Sequence, residues 1–264
     1  MRRVKVAVAT RVFDLPLKQA VYEAAKTGAS GVQFDAWNEL NSVELSQTGR
    51  RQLVKYLSDY DLSVASLYLP FKRALYDLTQ LEQRLDLIRH TMKLAFDLRS
   101  GVVTLRVGPV PDKEKSPDTY SLLIELLDDL ARYGNHVGAV LAVTPVCEPP
   151  ELLLEVLEQV KQGPIGVDFD PTVYVAGDWS AIDVFKQVHQ KVQHVLVHDA
   201  VRDIDGTVEE VPVGRGDVTW DELLVLIDHS GYTGWLTVVR NAGEDKSGDC
   251  ARAVQYIRNV MAEL

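Results

Sequence analysis

The stretch Gly138-Ala139-Val140-Leu141-Ala142-Val143-Thr144-Pro145-Val146 is apolar on both of its alternating faces, and after Pro149-Pro150 a segment of helical spacing runs to Gln162. A strand buried on both sides reads as a near-continuous apolar run, whereas a half-exposed strand alternates polar and apolar residues. This stretch therefore predicts a strand within a parallel sheet, followed by a covering helix. Pro150 suits the first helical turn, where a missing N–H costs nothing.

The same unit repeats along the chain. Strands are expected at Val4–Thr10, Gly31–Asp35, Ser63–Leu69, Val102–Val107, Gly138–Val146, Ile165–Asp170, Val192–Asp199 and Trp235–Arg240. Helices are expected at Pro16–Thr27, Ser46–Asp59, Leu78–Leu98, Asp118–Tyr133, Pro150–Gln162, Ser180–Gln190, Thr219–Ser230 and Ser247–Glu263. Eight βα units without a linker, a composition break or a low-complexity tract predict an α/β chain folded as a single (β/α)8 TIM barrel, one domain over residues 1–264. An open doubly wound sheet would want a Gly-rich phosphate-binding turn after the first strand. Thr10-Arg11-Val12-Phe13-Asp14 contains no glycine. Thr219 with Glu222 has the spacing of a capping box, and Gly28, Gly134 and Gly231 stand where helices should stop.

Composition narrows the partners. The 264 residues are 46% hydrophobic and 25% charged, as in an ordinary globular protein, and 28 Lys+Arg against 38 Asp+Glu leave a net charge of −10. Such a surface repels polyanions, so no nucleic-acid partner is expected. No apolar run approaches the roughly 18 residues that would suggest a bilayer span, and no membrane partner is expected. The N-terminal run is broken by Arg11 and Asp14 before it could serve as a signal peptide. Cys147 and Cys250 match no metal or redox spacing and fit a reducing compartment, so a cytoplasmic location is the expectation.

A TIM barrel builds its site at the C-terminal ends of its strands. Those positions hold Arg11, Asp35, Tyr68, Arg106, Thr144, Asp168 with Asp170, His198 with Asp199, and Arg240. Any one of them alone reads as an ordinary surface polar group. Their recurrence at one end of nearly every strand points to a ligand pocket. Asp168 and Asp170 share strand parity, so one could raise the pKa of the other, or one could cap a helix or pair with an Arg. His194 falls inside a strand and reads as a hydrogen-bonded core histidine. His90, His136, His189 and His229 fall on helices or their ends, where a solvated or capping role is expected. Val201 to Glu210 is an acidic loop with an Asp205-Gly206 turn signal, expected to form a β-hairpin over the barrel mouth.

The run Val211-Pro212-Val213-Gly214-Arg215-Gly216-Asp217-Val218-Thr219-Trp220, then Gly231-Tyr232-Thr233-Gly234-Trp235-Leu236-Thr237-Val238, resembles the closing segment of the xylose-isomerase-like sugar phosphate isomerase/epimerase family. Gly31 to Asp35, Gly166 to Pro171 and His194 to Ala200 are similar to earlier parts of the same pattern. The resemblance implies a divalent metal held by a Glu, an Asp, a His and a second Glu, with the glutamates also moving protons. Carried onto this chain, the first Glu position is Thr144, the Asp is kept as Asp170, the His position is Leu196 and the last Glu position is Val239. His198, just before Asp199, stands where family members usually carry Lys or Arg. One carboxylate does not make a metal site, so the expectation is a degenerate metal site, with no metal or other cofactor.

Two functions are compatible with these residues. One is an isomerase/epimerase-like protein that binds a small polyhydroxylated or phosphorylated, sugar-like ligand at the barrel mouth without the family's metal. Asp170 and His198 would then be the acid/base candidates, Arg106 and Arg240 would meet an anionic group, and Asp168, Asp199 and Thr144 would also face the ligand. The other is a catalytically inert barrel that acts as a ligand-binding or protein-interaction scaffold. The sequence decides neither between them nor on the oligomeric state.

Overall fold

The structure, a computed structural model, describes residues 5–263. Val4, the expected start of the first strand, and the Met1 to Val4 part of the N-terminal reading lie outside the described residues. The strands are β1 (Lys5–Ala9), β2 (Gly31–Asp35), β3 (Ser63–Leu69), β4 (Val102–Arg106), β5 (Val140–Thr144), β6 (Ile165–Phe169), β7 (Val192–Val197), β8 (Asp199–Arg202), β9 (Val208–Val211) and β10 (Trp235–Val238). All but β8 and β9 close into a parallel barrel in the order β1-β10-β7-β6-β5-β4-β3-β2, while β8 and β9 pair as a separate antiparallel hairpin. The expected barrel and hairpin are both present.

The helices are α1 (Leu17–Lys26), α2 (Gln47–Ser58), α3 (Leu81–Asp97), α4 (Pro117–Val137), α5 (Pro150–Gln159), α6 (Pro171–Ala176), α7 (Ala181–Val188), α8 (Trp220–His229) and α9 (Lys246–Glu263). Strand residues on the outer face pack against them. Phe169 of β6, for instance, meets the ring of Phe185 on α7 edge-on at 5.1 Å. Every residue of β2 and of β6 is buried, as strands covered on both faces should be. Among the described residues no helix is long and apolar enough to cross a membrane.

Three local expectations need correction. Gly134 does not end α4, which continues to Val137 and stops at Gly138 in the left-handed region, φ +82°. Gly134 is needed for closeness instead, since a Cβ there would overlap the Ala139 carbonyl and the end of Met92. Thr219 makes no capping bond, because its backbone (φ −75°, ψ 77°) leaves the extended region that a cap needs. The short α6 was not expected. Asp170 caps it by accepting from Thr172 N at 3.1 Å, and Pro171 fills its first position.

Candidate functional site

The floor of the site is a buried chain of polar side chains inside the barrel. Asp168 accepts from Thr144 Oγ1 at 2.7 Å and lies 2.7 Å from His194 Nδ1. The other ring nitrogen, His194 Nε2, faces Thr237 Oγ1 at 2.7 Å and Ser66 Oγ at 3.1 Å, and Gln33 Nε2 donates to Ser66 at 2.8 Å. Gln33 in turn accepts from Arg11 Nη1 at 2.5 Å, and the Arg11 guanidinium rests 4.5 Å above the Tyr68 ring. Ladder irregularities fall at Val32/Gln33 and at Val167/Asp168, next to two of these inward side chains. A bulge re-aims the side chain beside it, so the barrel bends where its polar floor enters.

Asp168, His194 and Ser66 have the connectivity of a nucleophile triad, but all three are fully buried. With no route for a substrate, they serve as core. His194 is thus the hydrogen-bonded core histidine its position implied. Burial lowers the Arg11 pKa from its ordinary value, against the opposing pull of Tyr68, Asp35, Glu39 and Asp168.

Above this floor, His198 stands between two carboxylates. Its Nδ1 lies 3.3 Å from Asp170 Oδ1 and its Nε2 lies 3.4 Å from Glu210 Oε2. Thr172 Oγ1 donates to Asp170 Oδ1 at 2.6 Å and sits 3.1 Å from His198 Nδ1. Burial alone would lower the His198 pKa, but the charge and hydrogen bond of Asp170, with Glu210 behind them, push it up to about 9. Burial likewise opposes ionisation of Asp170 and Glu210, yet His198 holds both below the usual carboxylate range. Of the two alternatives for Asp168 and Asp170, the capping one holds: the Asp170 pKa is lowered, and its side chain caps α6. At neutral pH the group is an imidazolium between two carboxylates.

The arginines divide. Arg240 is buried, with Nε donating to Asp249 Oδ2 at 2.9 Å and Nη1 3.5 Å from Glu210 Oε1. It pairs with carboxylates, but neither is Asp168 nor Asp170. Arg106 is exposed, adds to the field that keeps Asp170 ionised, and has no ion-pair partner within 4 Å among the described residues. It lines a cleft of about 320 Å³ together with Cys147, Thr172, His198 and Glu210.

Thr144 lies on the floor, bonded to Asp168, and both are buried beneath the cleft rather than lining it. Asp199 is committed elsewhere. Its oxygens accept from the backbone N–H groups of Ala200 (2.9 Å), Gly214 (2.8 Å), Gly216 (3.1 Å) and Val218 (3.3 Å), fastening the loop that carries the Val211 to Trp220 motif. A Cβ at Gly216 would collide with this carboxylate, which explains the glycine. Glu210 was missed by sequence reasoning. The Asp205-Gly206 turn located its hairpin, but nothing in the local pattern said which side chain would face the barrel.

A closed eight-stranded parallel barrel with charged groups gathered at its C-terminal mouth defines a TIM-barrel protein. The chain belongs to the xylose isomerase-like TIM barrel family, matched over residues 21–260. Among solved structures it is similar to a xylose isomerase domain protein from Planctomyces limnophilus, at 21% identity over 98% of this chain and 97% of that one, TM-score 0.85. It is also similar to a D-tagatose 3-epimerase-like protein (17% identity, 98% and 99% covered, TM-score 0.80). A third is a xylose isomerase-like TIM barrel protein from Mycobacterium smegmatis in complex with magnesium (17% identity, 98% and 97% covered, TM-score 0.80). At these identities the likeness is one of fold. No curated protein sequence matches the chain.

The residues at the family's metal positions do not fit a divalent cation. Leu196 and Val239 are buried aliphatic side chains, Thr144 spends its hydroxyl on Asp168, and Asp170 is bonded to Thr172 and His198. Leu196 lies level with Thr237 on the inward face of the barrel, so no turn of the chain hides a ligand there. Among the described residues no three His, Cys, Asp or Glu side chains are grouped to hold a metal ion.

Proposed function

We propose that the protein binds a small polyhydroxylated or phosphorylated ligand at the barrel mouth and carries out isomerase/epimerase-type proton transfer without the family's divalent metal. The observation that carries this is His198, held as a cation between Asp170 and Glu210 on the wall of a cleft that also presents Arg106. Removing a proton next to a carbonyl builds negative charge on the carbonyl oxygen, and a fixed cation there lowers the barrier. The His198 imidazolium supplies that charge on the cleft wall. Asp170, bonded to Thr172 and His198 of the cleft wall, is the carboxylate assigned to the carbon-bound proton; it is buried behind that wall, so a substrate must displace Thr172 to reach it. Its lowered pKa makes it a weak base, so slow turnover is expected.

Exchange of substrate hydrogen with deuterated solvent tests this. Aldose and ketose phosphates incubated with the protein in EDTA should gain deuterium beside the carbonyl, and Asp170→Asn and His198→Gln should each abolish the gain. The inert-barrel alternative is favoured by the commitment of Asp170 to His198 and Thr172, and it expects no exchange from any sugar while ligand binding persists.

A further inference from the structure

Glu210 reaches the mouth from β9, on a hairpin that shares no ladder with the barrel. Its carboxylate sits between two cations but bonds well to neither. His198 Nε2 and Arg240 Nη1 are both shut off from solvent without a hydrogen-bond partner, facing Glu210 at 3.4 and 3.5 Å. These are ion-pair separations, longer than the roughly 2.7 to 2.9 Å of a charge-assisted bond. Arg240 does make such a bond with its other face, to Asp249, so the guanidinium is not misplaced. What holds Glu210 is the backbone, since Asn241 N–H donates to its Oε1 at 2.6 Å.

A buried ion pair kept for stability would have its donors satisfied, because a desolvated donor left unpaired is costly. Here two orphan donors on separate strand ends converge on one anionic position beside an open cleft, with Arg106 free at the rim. We propose that Glu210 is a built-in surrogate for the ligand's anionic group. A phosphate entering the cleft takes its place against His198 Nε2 and Arg240 Nη1, Arg106 closes on the outer oxygens, and the β8–β9 hairpin yields. The hairpin turn is suited to yielding: it is exposed, with Ile204 fully in solvent. This rests on the mouth being the ligand site, as proposed above.

Titration of inorganic phosphate by calorimetry, in a phosphate-free buffer at pH 7, tests the surrogate apart from any sugar chemistry. Glu210→Gln removes the competing charge and should bind phosphate at least tenfold more tightly than the parent. Adding Arg240→Met to it should remove the gain. Glu209→Gln, one residue away and exposed, makes the same charge change outside the cleft and should leave the affinity at the parent value. Acetate in place of phosphate should show a smaller gain, having fewer oxygens to share among three cations. If Glu210→Gln does not fold, Glu210→Asp withdraws the carboxylate and should move the affinity in the same direction. Equal affinity in the parent and Glu210→Gln, or an equal gain in Glu209→Gln, overturns the surrogate while leaving sugar binding at the mouth to stand or fall by its own exchange test.

Discussion

Asp170 Oδ1 lies 3.3 Å from His198 Nδ1, so the carboxylate that the resemblance assigns to a metal is paired with a cation of the chain itself. Each holds the other charged: the imidazole pulls the Asp170 pKa down, and Asp170 with Glu210 pushes that of His198 up to about 9. The positive centre of the barrel mouth is a side chain, fixed in place by β6, β7 and the β8–β9 hairpin.

The pH dependence has a definite sign. His198 has a raised pKa, so its contribution to stability is complete below the ordinary histidine value and is lost as pH rises through about 9. Asp170 and Glu210 have lowered pKa values, so theirs is present above the ordinary carboxylate range and lost as pH falls through the folded values. The His198 contribution at neutral pH should be on the order of 2 to 3 kcal/mol. Proton NMR of the ring should show a midpoint near 9 in the parent and a clearly lower one in Asp170→Asn. A parent midpoint near 6.5 would remove the fixed cation.

The buried floor should be sensitive at its bonded members and indifferent at its orphan. Asp168→Ala strands the Thr144 hydroxyl and His194 Nδ1 and should cost about 2 to 4 kcal/mol in urea unfolding. Thr104 has a buried hydroxyl with no partner among the described residues, and Thr104→Val should lie within about 1 kcal/mol of the parent. Equal losses in both variants would mean that the network adds nothing beyond packing.

Asp199→Ala frees four backbone N–H groups of the segment from Ala200 to Val218. Hydrogen exchange at Gly214, Gly216 and Val218 should quicken at least tenfold, with global stability reduced by about 1 to 3 kcal/mol. Unchanged exchange at these amides would show the clasp to be dispensable.

The purified protein should carry no stoichiometric divalent metal by elemental analysis after gel filtration in metal-supplemented buffer. Thr144→Glu, Leu196→His and Val239→Glu together should create Mn²⁺ affinity where the single changes do not, because coordination depends on ligand number. His198→Gln added to the triple variant should strengthen it further by freeing Asp170. One equivalent of metal in the parent, removed by Asp170→Ala, would contradict the account of these positions.

The barrel was legible because short strand-like segments recur between helical stretches, and two of them, Gly31 to Asp35 and Ser63 to Leu69, agree with the structure to the residue. The resemblance also singled out Thr144, Leu196 and Val239, whose side chains are poor ligands for a hard cation. Functions that depend on through-space pairing were not. Asp199 looks like a rim carboxylate until Gly214, Gly216 and Val218 fold back onto it. Glu210 looks like hairpin acidity until the pairing of Ala200 with Glu210 sets it over His198. Short α6 escaped because its six residues are too few for a helical period to show, although Asp170-Pro171 carried its start signal.

Ligand binding at the mouth without a metal is tested most directly by melting temperature in EDTA, with sugar phosphates and sugar acids added to the parent, to Arg106→Ala and to Arg240→Ala. A guanidinium–anion contact is worth on the order of 1.5 to 3 kcal/mol, so its loss should erase most of a ligand-induced rise. At least one compound should raise the melting temperature of the parent in EDTA, the rise should not grow when Mn²⁺ replaces EDTA, and both arginine variants should lose it. A rise that appears only with Mn²⁺, one that survives both substitutions, or no rise with any compound would contradict a metal-free ligand site at the barrel mouth.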